Sequence, residues 1–375
     1  MFDPNLNQLD LYFNEIYKNL DIPAHLLATA NQRYMDLAEW LKKDSEKRFN
    51  SNSILYPQGS ILLGTPVMPV KARDDFDYDL VYLREIKKEG ITQKELKKQV
   101  GDQLKAYIEY LKEENSDDIP TLMEGKRCWT LKYPKFHMDI LPALPDEEGE
   151  YKMNAKDGII ITDKDLHHWQ YSNPKGYNAW FKYQMRQSIH EEKVKLARAS
   201  TLEVEEIPDN NVKTTLQRAI QILKRHRDST FKGEKDDKPI SVIINTLATK
   251  AYKNSSNLYQ TLQDILTEMD KHIVEKNGVY IVENPINPKE NFADKWERYP
   301  ERKNAFYSWL KSAKEEFIGL ERKGSFSEIN ERLQKSLGND VVTGAWNSFE
   351  KLNAKKNALN IAVSNIKTPT KPWVP

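Results

Sequence analysis

Two strand-like segments of this chain carry carboxylates that its fold has to accommodate. Asp77 and Asp79 are two residues apart in DYDLVYL (77–83), so on a strand both side chains point to the same face. Asp139 lies in FHMDILPAL (136–144), among apolar residues where an unpaired carboxylate is costly to bury. If the two strands are neighbours, the three carboxylates converge on one face of a sheet.

Such a cluster points to a metal site. Clustered carboxylates repel one another and resist ionisation, and a hard divalent cation such as Mg²⁺ relieves that repulsion. Two such ions can activate an attacking hydroxyl and stabilise a leaving phosphate. The alternative is a solvated strand end, because an acid-rich chain produces a stretch such as DDFDYD (74–79) by chance. The apolar surroundings of Asp139 favour the metal interpretation.

Two further elements are candidate phosphate contacts. Glycine lets the backbone approach a phosphate closely, and in Gly59-Ser60 the serine adds a hydroxyl and an N–H group. The alternative is an ordinary Gly-Ser turn that caps a helix, and no GxxxxGK[ST] loop is present. Lys224 and, after it, Ser241 belong to a helical region in which a lysine can reach triphosphate oxygens as a point charge. The alternative for Lys224 is a solvated basic helix face favoured by the helix macrodipole.

Composition excludes several classes of protein. With 375 residues and 39% hydrophobic residues, the chain suits one large or two intimate domains with a real core. A net charge of +1 excludes a simple polycation that coats nucleic acid. The single cysteine, Cys128, excludes intramolecular disulfides and a Cys-rich zinc site. We expect a cytoplasmic protein without a signal peptide or a membrane span, since the sequence shows neither pattern.

Periodicity predicts a mixed α/β protein whose later part is helical. A helix over 5–20 precedes a long apolar-striped helix from Pro23 to about 49, which could serve as a spine that packs on both lobes. SNPKGY (172–177) and NPINPKENFADKW (284–296) are interpreted as loops. The other predicted elements are strand character over 56–70, 77–83 and 136–144, a lysine-rich helix over about 92–113, and a helix over 210–228 capped by Asp209 or Asn210. The predicted domains are N-terminal helices (1–50), a catalytic core (51–200), a helical lobe (201–360) and an extended tail (361–375).

The order of these motifs resembles a known family. Gly59-Ser60, Gly64-Thr65, the DYD at 77–79 and the third Asp in HMDILPA are similar to the DNA-polymerase-β-like nucleotidyltransferase superfamily. Within it, the chain resembles the bacterial cGAS/DncV-like nucleotidyltransferases, the CD-NTases, which are related to oligoadenylate synthases. The resemblance covers about residues 55 to 300. It includes WQYSNPKGYNAWF (169–181), ILKRHRD (222–228), KPISVIINTLA (238–248) and NPINPKENFADKW (284–296).

The resemblance implies a fold and a site. The fold would be α/β (α+β), with a polymerase-β-like core on a mixed sheet, a C-terminal helical lobe like that of oligoadenylate synthases, and the active site in the cleft between them. The cofactor would be two Mg²⁺ ions, with Mn²⁺ as a substitute. By position, Asp77 and Asp79 would bind both metals, and Asp139 would complete the site and help to activate a ribose hydroxyl. Gly59 and Ser60 would hold the incoming triphosphate. Lys224 and Ser241 would contact phosphates.

The resemblance also implies an activity. The enzyme, a Mg-dependent nucleotidyltransferase, would make a cyclic di- or trinucleotide from nucleoside triphosphates, ATP among them, in bacterial antiphage (CBASS-type) defence. Its partners would be a downstream effector that binds the product and a regulatory protein. Zinc-dependent DNA sensing is not expected, because one cysteine cannot supply the zinc insertion of the animal relative. A linear oligonucleotide synthase, a nucleotidyltransferase acting on a macromolecule and a catalytically dead nucleotide-binding scaffold remain alternatives.

Overall fold

A computed structural model describes residues 4–71, 74–147, 157–163, 165, 167–200, 203–232 and 237–364. Its helices are α1 (Pro4–Leu20), α2 (Ala24–Phe49), α3 (Gly59–Leu63), α4 (Gln93–Glu113), α5 (Pro174–Gln184), α6 (Arg186–Ala199), α7 (Thr215–Thr230), α8 (Ser241–Lys250), α9 (Leu258–Glu268), α10 (Lys295–Arg298), α11 (Pro300–Phe317), α12 (Phe326–Leu337) and α13 (Asn339–Ser364). Its strands are β1 (Ser53–Pro57), β2 (Phe76–Arg84), β3 (Thr121–Glu124), β4 (Trp129–Tyr133), β5 (Phe136–Pro145), β6 (Ile159–Ile161), β7 (Gln170–Ser172), β8 (Val274–Lys276), β9 (Val279–Ile281), β10 (Glu283–Asn284) and β11 (Asn287–Asn291).

A mixed sheet forms the centre of the first half of the described chain. Its main strand order is β1-β2-β5-β4-β3, with β6 beside β5 and β7 beside β6. β2 and β5 are parallel, and the other pairs in this sheet are antiparallel. The predicted mixed α/β fold and the predicted strands over 77–83 and 136–144 are therefore confirmed.

The two central strands pack differently on their two faces, because successive side chains on a strand alternate. One face, which includes Tyr78, Leu80 and Ile140, packs against helices α2 and α4 in a buried apolar core. Val81 and Leu141 lie on the opposite face, in a smaller apolar cluster. Asp77, Asp79 and Asp139 have the same parity along the strands as this second face.

A second and larger core joins the helices of the later part of the chain with α1. Phe13 of α1 stacks on Tyr259 of α9, with ring centroids 5.2 Å apart. Tyr177 and Phe181 of α5 belong to this core as well. Helix α1 thus lies in the helical core, whereas α2 packs on the sheet through residues such as Leu37. The domain boundaries stay predictions. No helix within the described ranges is both long enough and apolar enough to cross a membrane.

Four predictions of local structure are wrong. The strand character over 56–70 ends at Pro57, and a short helix, α3, follows and ends at Gly64 with φ +66°. SNPKGY is not a loop, because Gln170–Ser172 form β7 and the Asn173 side chain accepts a hydrogen bond from the Gly176 N–H at the start of α5.

Helix α7 begins at Thr215, since Thr214 forms a capping box with Gln217, so Asp209 and Asn210 are not its caps. The loop over 284–296 contains strands β10 and β11. The tail over 365–375 lies outside the described residues.

Gly101 determines how closely α4 approaches the sheet. A Cβ atom at Gly101 would lie 2.1 Å from Cζ2 of Trp129, whose Nε1 donates a hydrogen bond to the Lys97 carbonyl at 2.8 Å. Gly101→Ala should therefore lower the free energy of unfolding by about 1–3 kcal/mol, although alanine is the better helix former. Urea denaturation measures the change.

Gly90→Ala is the matched control, because nothing lies within 4 Å of a Cβ built at Gly90. Its effect should be smaller than about 0.5 kcal/mol. Equal losses in the two variants would contradict the packing argument.

Candidate active site

The pairing of β2 with β5 brings the three predicted aspartates together. The parallel register places Asp79 opposite Asp139 and Asp77 opposite His137. Since Asp77 and Asp79 are two residues apart on one strand, all three carboxylates lie on the same face of the sheet. The Asp77 side chain is 68% exposed, whereas Asp79 and Asp139 are half-buried.

Each carboxylate has a distinct electrostatic environment. Burial, followed by repulsion from Asp77 and Asp139, raises the pKa of Asp79 to about 6. His137 Nε2 lies 3.0 Å from Asp77 Oδ1, and this hydrogen bond raises the pKa of the imidazole. The Thr130 hydroxyl donates to Asp139 Oδ1 at 2.5 Å.

The donor chemistry of the cluster suits a hard cation, but the side chains do not surround one. Three carboxylates supply the oxygen ligands that Mg²⁺ prefers, and the repulsion felt by Asp79 is what a cation relieves. In the described part of the chain, however, no three His, Cys, Asp or Glu side chains are arranged to hold a metal ion together. Asp77 contacts His137 and Asp139 contacts Thr130. The metal role of the three aspartates stays a prediction.

Gly59 allows the backbone before α3 to approach this cluster. Its φ of +57° belongs to the left-handed region, and a Cβ atom there would lie 2.6 Å from Asp79 Oδ2. The Gln58 N–H also donates to the Asp79 carbonyl at 2.9 Å, which fixes the loop to β2. Ser60 follows directly and lines the same cavity as Asp77 and Asp79.

Lys224 reaches the same region from α7. It is 4% exposed, so the alternative interpretation as a solvated helix face is wrong. Its Nζ donates to the carbonyl of Thr65 at 3.2 Å and to the Thr65 hydroxyl at 3.0 Å. Burial, reinforced by nearby Arg227, lowers the pKa of Lys224 to about 7. An anion bound beside it would favour its charged form.

Helix α7 holds the segment 63–68 by four side chains, which we call the polar seam: Gln217, Gln221, Lys224 and Arg225. They lie on one helix face, because Gln217, Gln221 and Arg225 follow one another at four-residue steps and Lys224 is three residues after Gln221. They donate to the carbonyls of Leu63 (2.9 Å), Pro66 (2.5 Å), Thr65 (3.2 Å) and Met68 (3.0 Å), respectively. The seam attaches the backbone after Ser60 to the helical core.

Ser241 begins α8 and has an arginine partner. Its Oγ accepts a hydrogen bond from Arg227 Nη1 at 2.8 Å. Arg227 also donates to the Pro239 carbonyl at 3.1 Å and pairs with Asp228 at 2.8 Å. Ser241 is therefore held in place at the end of α8 that faces Lys224.

A cavity of about 300 Å³ unites these side chains. Six of the seven predicted site residues line it, namely Gly59, Ser60, Asp77, Asp79, Lys224 and Ser241. Asp139 lies next to Asp79 but outside the lining. The sequence analysis missed several further lining residues, although they lie in the segments that resemble the family. These are Asn173, Tyr177, Asn245, Asn284, Glu290 and Phe292.

A larger cavity of about 1100 Å³ is lined by residues of α2, α6 and the start of α7. It contains none of the seven predicted site residues. The smaller cavity combines carboxylates, a buried lysine and two serines, which is the set that a metal-assisted reaction of a phosphate ester needs. Chemistry rather than volume therefore identifies the candidate site.

Asp79→Asn should stabilise the metal-free protein. Because the folded pKa of about 6 lies above the ordinary value of 3.8, the stabilisation by neutral Asp79 is complete below pH 4 and is lost as pH rises through 6. At pH 8 the substitution should raise the free energy of unfolding by about 1–3 kcal/mol, and at pH 4.5 by much less. Denaturant titration in EDTA at both pH values measures this.

Asp117→Asn serves as the control, because Asp117 is exposed and its carboxylate has little desolvation to lose. An equal gain for Asp79→Asn at pH 4.5 and pH 8 would show that carboxylate burial is not the cause.

Comparison with known proteins gives the context of this site. Residues 8–184 match the Second Messenger Oligonucleotide or Dinucleotide Synthetase (SMODS) domain. A c-di-GMP synthase of Roseivirga ehrenbergii is 28% identical over 342 residues, which are 90% of this chain and 86% of that protein. The cyclic dinucleotide synthase CdnG of Bradyrhizobium diazoefficiens is 26% identical over 376 residues, covering 92% of this chain and 84% of the relative.

Solved structures agree in fold. The structure of Bradyrhizobium diazoefficiens CdnG in complex with GTP superposes with a TM-score of 0.72 at 20% identity, covering 93% of this chain and 99% of that one. The GTP-bound form of Vibrio cholerae DncV gives a TM-score of 0.55 at 16% identity, with 91% of each chain covered. The polymerase-β-like core with a helical lobe is thus confirmed. The SMODS match covers both strands that carry the aspartates, and the relatives support the predicted resemblance to the bacterial CD-NTases.

Proposed function

We propose that this protein is a cyclic dinucleotide synthase that uses nucleoside triphosphates, GTP among them, and releases pyrophosphate. The observation that carries the proposal is the register that sets Asp79 beside Asp139, at a cavity lined by Ser60 and Lys224. The name of one relative, a c-di-GMP synthase, supports a cyclic guanine product, and the other relative is named a cyclic dinucleotide synthase. The expectation that ATP is also a substrate stays a prediction.

The reaction is a nucleotidyl transfer. The oxygen of a ribose hydroxyl forms a bond to the α-phosphorus of a second nucleotide, and the bond from that phosphorus to the bridging β-oxygen breaks. Pyrophosphate leaves with the bonding electrons. We assign Asp139 as the acceptor of the hydroxyl proton, because its carboxylate lies beside Asp79 on the same sheet face. A second, intramolecular transfer closes the ring.

The protein contributes alignment and charge more than covalent chemistry. The Gly59-Ser60 backbone and the Ser60 hydroxyl hold phosphate oxygens, and Lys224 and Ser241 contact them from the other side of the cavity. Mg²⁺ held by Asp77, Asp79 and Asp139 would neutralise phosphate charge and make the attacking hydroxyl more acidic. Because the pKa of Lys224 is about 7, triphosphate binding at pH 8 should be accompanied by proton uptake at this lysine.

A product assay tests the proposal. The protein is incubated with α-labelled GTP, ATP, CTP and UTP plus Mg²⁺ or Mn²⁺, then treated with phosphatase and analysed by chromatography and mass. We expect a phosphatase-resistant cyclic dinucleotide that contains guanine. Linear 5′-triphosphate oligomers would replace the proposal with a linear synthase. Absence of turnover in every mixture, from protein that binds nucleotide, would favour a catalytically dead scaffold.

Asp139→Asn should lower product formation by at least about 100-fold, because the amide cannot accept the hydroxyl proton. Circular dichroism and thermal unfolding should show an intact fold, since the substitution preserves shape. Asp102→Asn on the exposed face of α4 is the matched control and should keep full activity. An active Asp139→Asn variant would exclude Asp139 as the base.

Metal removal gives a separate test of the cofactor. EDTA should abolish product formation, and excess Mg²⁺ or Mn²⁺ should restore it, because the clustered carboxylates need a cation to bind an anionic substrate. Full activity in EDTA would contradict the metal role of Asp77, Asp79 and Asp139.

Signalling is the proposed biological role. The cyclic product would bind and switch on a downstream effector in antiphage defence, as the family resemblance implies. A regulatory protein partner is part of the same proposal. Phage challenge of cells that carry the intact chain or its Asp139→Asn variant tests this role, and equal protection would contradict it.

A further inference from the structure

One wall of the active-site cavity carries a carboxylate that the proposed chemistry does not use. Glu290 lies on β11, in the hairpin formed with β10, and is half-buried at the cavity. Asn284 Nδ2 donates a hydrogen bond to Glu290 Oε2 at 2.7 Å. The hydrogen bonds of the described residues include none to Oε1, and their ion pairs include none to Glu290. One carboxylate oxygen, Oε2, is thus held in place, and the other, Oε1, is free to accept a hydrogen bond from a ligand.

The environment of Glu290 makes this arrangement costly without a ligand. Burial is the main cause that raises the pKa of Glu290, and the nearby Asp294 adds to it, while the hydrogen bond from Asn284 opposes both. A half-buried carboxylate without a basic partner is stabilised by N–H donors that arrive with a ligand.

A second polar group in the cavity lacks a partner. Asn245 of α8 is 4% exposed, and its Oδ1 is buried without a hydrogen bond. Asn245 lines the same cavity as Glu290. The rings of Tyr177 and Phe292 also line it, with centroids 6.3 Å apart at an angle of 69°. Acceptors beside aromatic surface are the elements of a nucleobase pocket.

We propose that Glu290 selects guanine, with its carboxylate accepting hydrogen bonds from the base N1–H and from the 2-amino group. The inference rests on the proposed function, whose substrates are nucleoside triphosphates. Guanine presents these two donors side by side on one edge, and a carboxylate is the side chain that accepts two parallel hydrogen bonds. Asn284 is a positioning residue that orients Glu290, and Asn245 Oδ1 is a further acceptor for the base.

The same carboxylate disfavours adenine. On the corresponding edge, adenine offers one donor, its 6-amino group, and one acceptor, N1, whose lone pair would face a carboxylate oxygen. A site built around hydrogen bonds rejects a base that leaves them unmade much more strongly than an apolar pocket rejects a poor fit. We expect the wild-type protein to prefer guanine over adenine by at least about 100-fold.

Equilibrium binding tests this without turnover. Calorimetry with GDP, IDP and ADP measures base recognition alone, because a nucleoside diphosphate cannot release pyrophosphate. IDP differs from GDP only by lacking the 2-amino group, so it should bind about 10-fold more weakly than GDP to the wild-type protein.

Glu290→Gln is the decisive variant. Its amide presents one acceptor and one donor, which matches adenine and conflicts with guanine. The GDP-to-ADP affinity ratio should fall by at least about 10-fold, and GDP and IDP should bind about equally. Glu283→Gln makes the same change at an exposed position of β10 and should leave both ratios unchanged.

Asn284→Ala provides a second variant if Glu290→Gln does not fold, as judged by thermal unfolding. It removes the donor to Glu290 Oε2 and should lower GDP affinity more than ADP affinity. Equal binding of GDP and ADP by the wild-type protein would overturn the inference, as would an unchanged ratio in the variant that folds. Guanine-selective binding without any cyclic product would instead overturn the proposed synthase activity and leave the role of Glu290 standing.

Discussion

The parallel pairing of β2 with β5 is the constraint on which the site depends. It sets Asp79 opposite Asp139, where burial, followed by repulsion from Asp77 and Asp139, raises the pKa of Asp79 to about 6. The same two strands bury Tyr78, Leu80 and Ile140 on the other face. One face therefore supplies the packing energy that keeps the mutually repelling carboxylates together on the other.

Alternation of polar and apolar residues was enough to predict β2, β5 and the face that carries Asp77 and Asp79. It could not show that the two strands are neighbours, because α4, β3 and β4 lie between them in sequence and the pairing depends on how that connection packs. Local pattern failed at Gly59–Leu63, where branched apolar residues favour a strand and the left-handed conformations of Gly59 and Gly64 bound a helical turn.

Residues that act through distant contacts escaped prediction for a different reason. Glu290 and Asn245 look like ordinary surface and helix residues in the sequence, and only the tertiary fold brings them to one cavity. The burial of Lys224 was equally hidden, because α7 carries basic residues on several sides. The polar seam fixes the face of α7 that is turned toward Thr65. The backbone around Pro66 is irregular and is not paired with a strand, so side chains of the seam donate the hydrogen bonds that its carbonyl groups accept.

The cavity has walls of two kinds, one attached to the polar seam through Lys224 and one formed by the β10–β11 hairpin. Moving α7 away from segment 63–68 would break several buried hydrogen bonds together, so these bonds hold Lys224 and the backbone after Ser60 in one arrangement. Glu290 and Phe292 belong to the β10–β11 hairpin and the residue that follows it, on separate backbone. Under the proposed role of Glu290, sequence changes in this hairpin would alter which base is accepted while the chemistry of transfer stays intact, which would let related synthases diversify their signals at small structural cost.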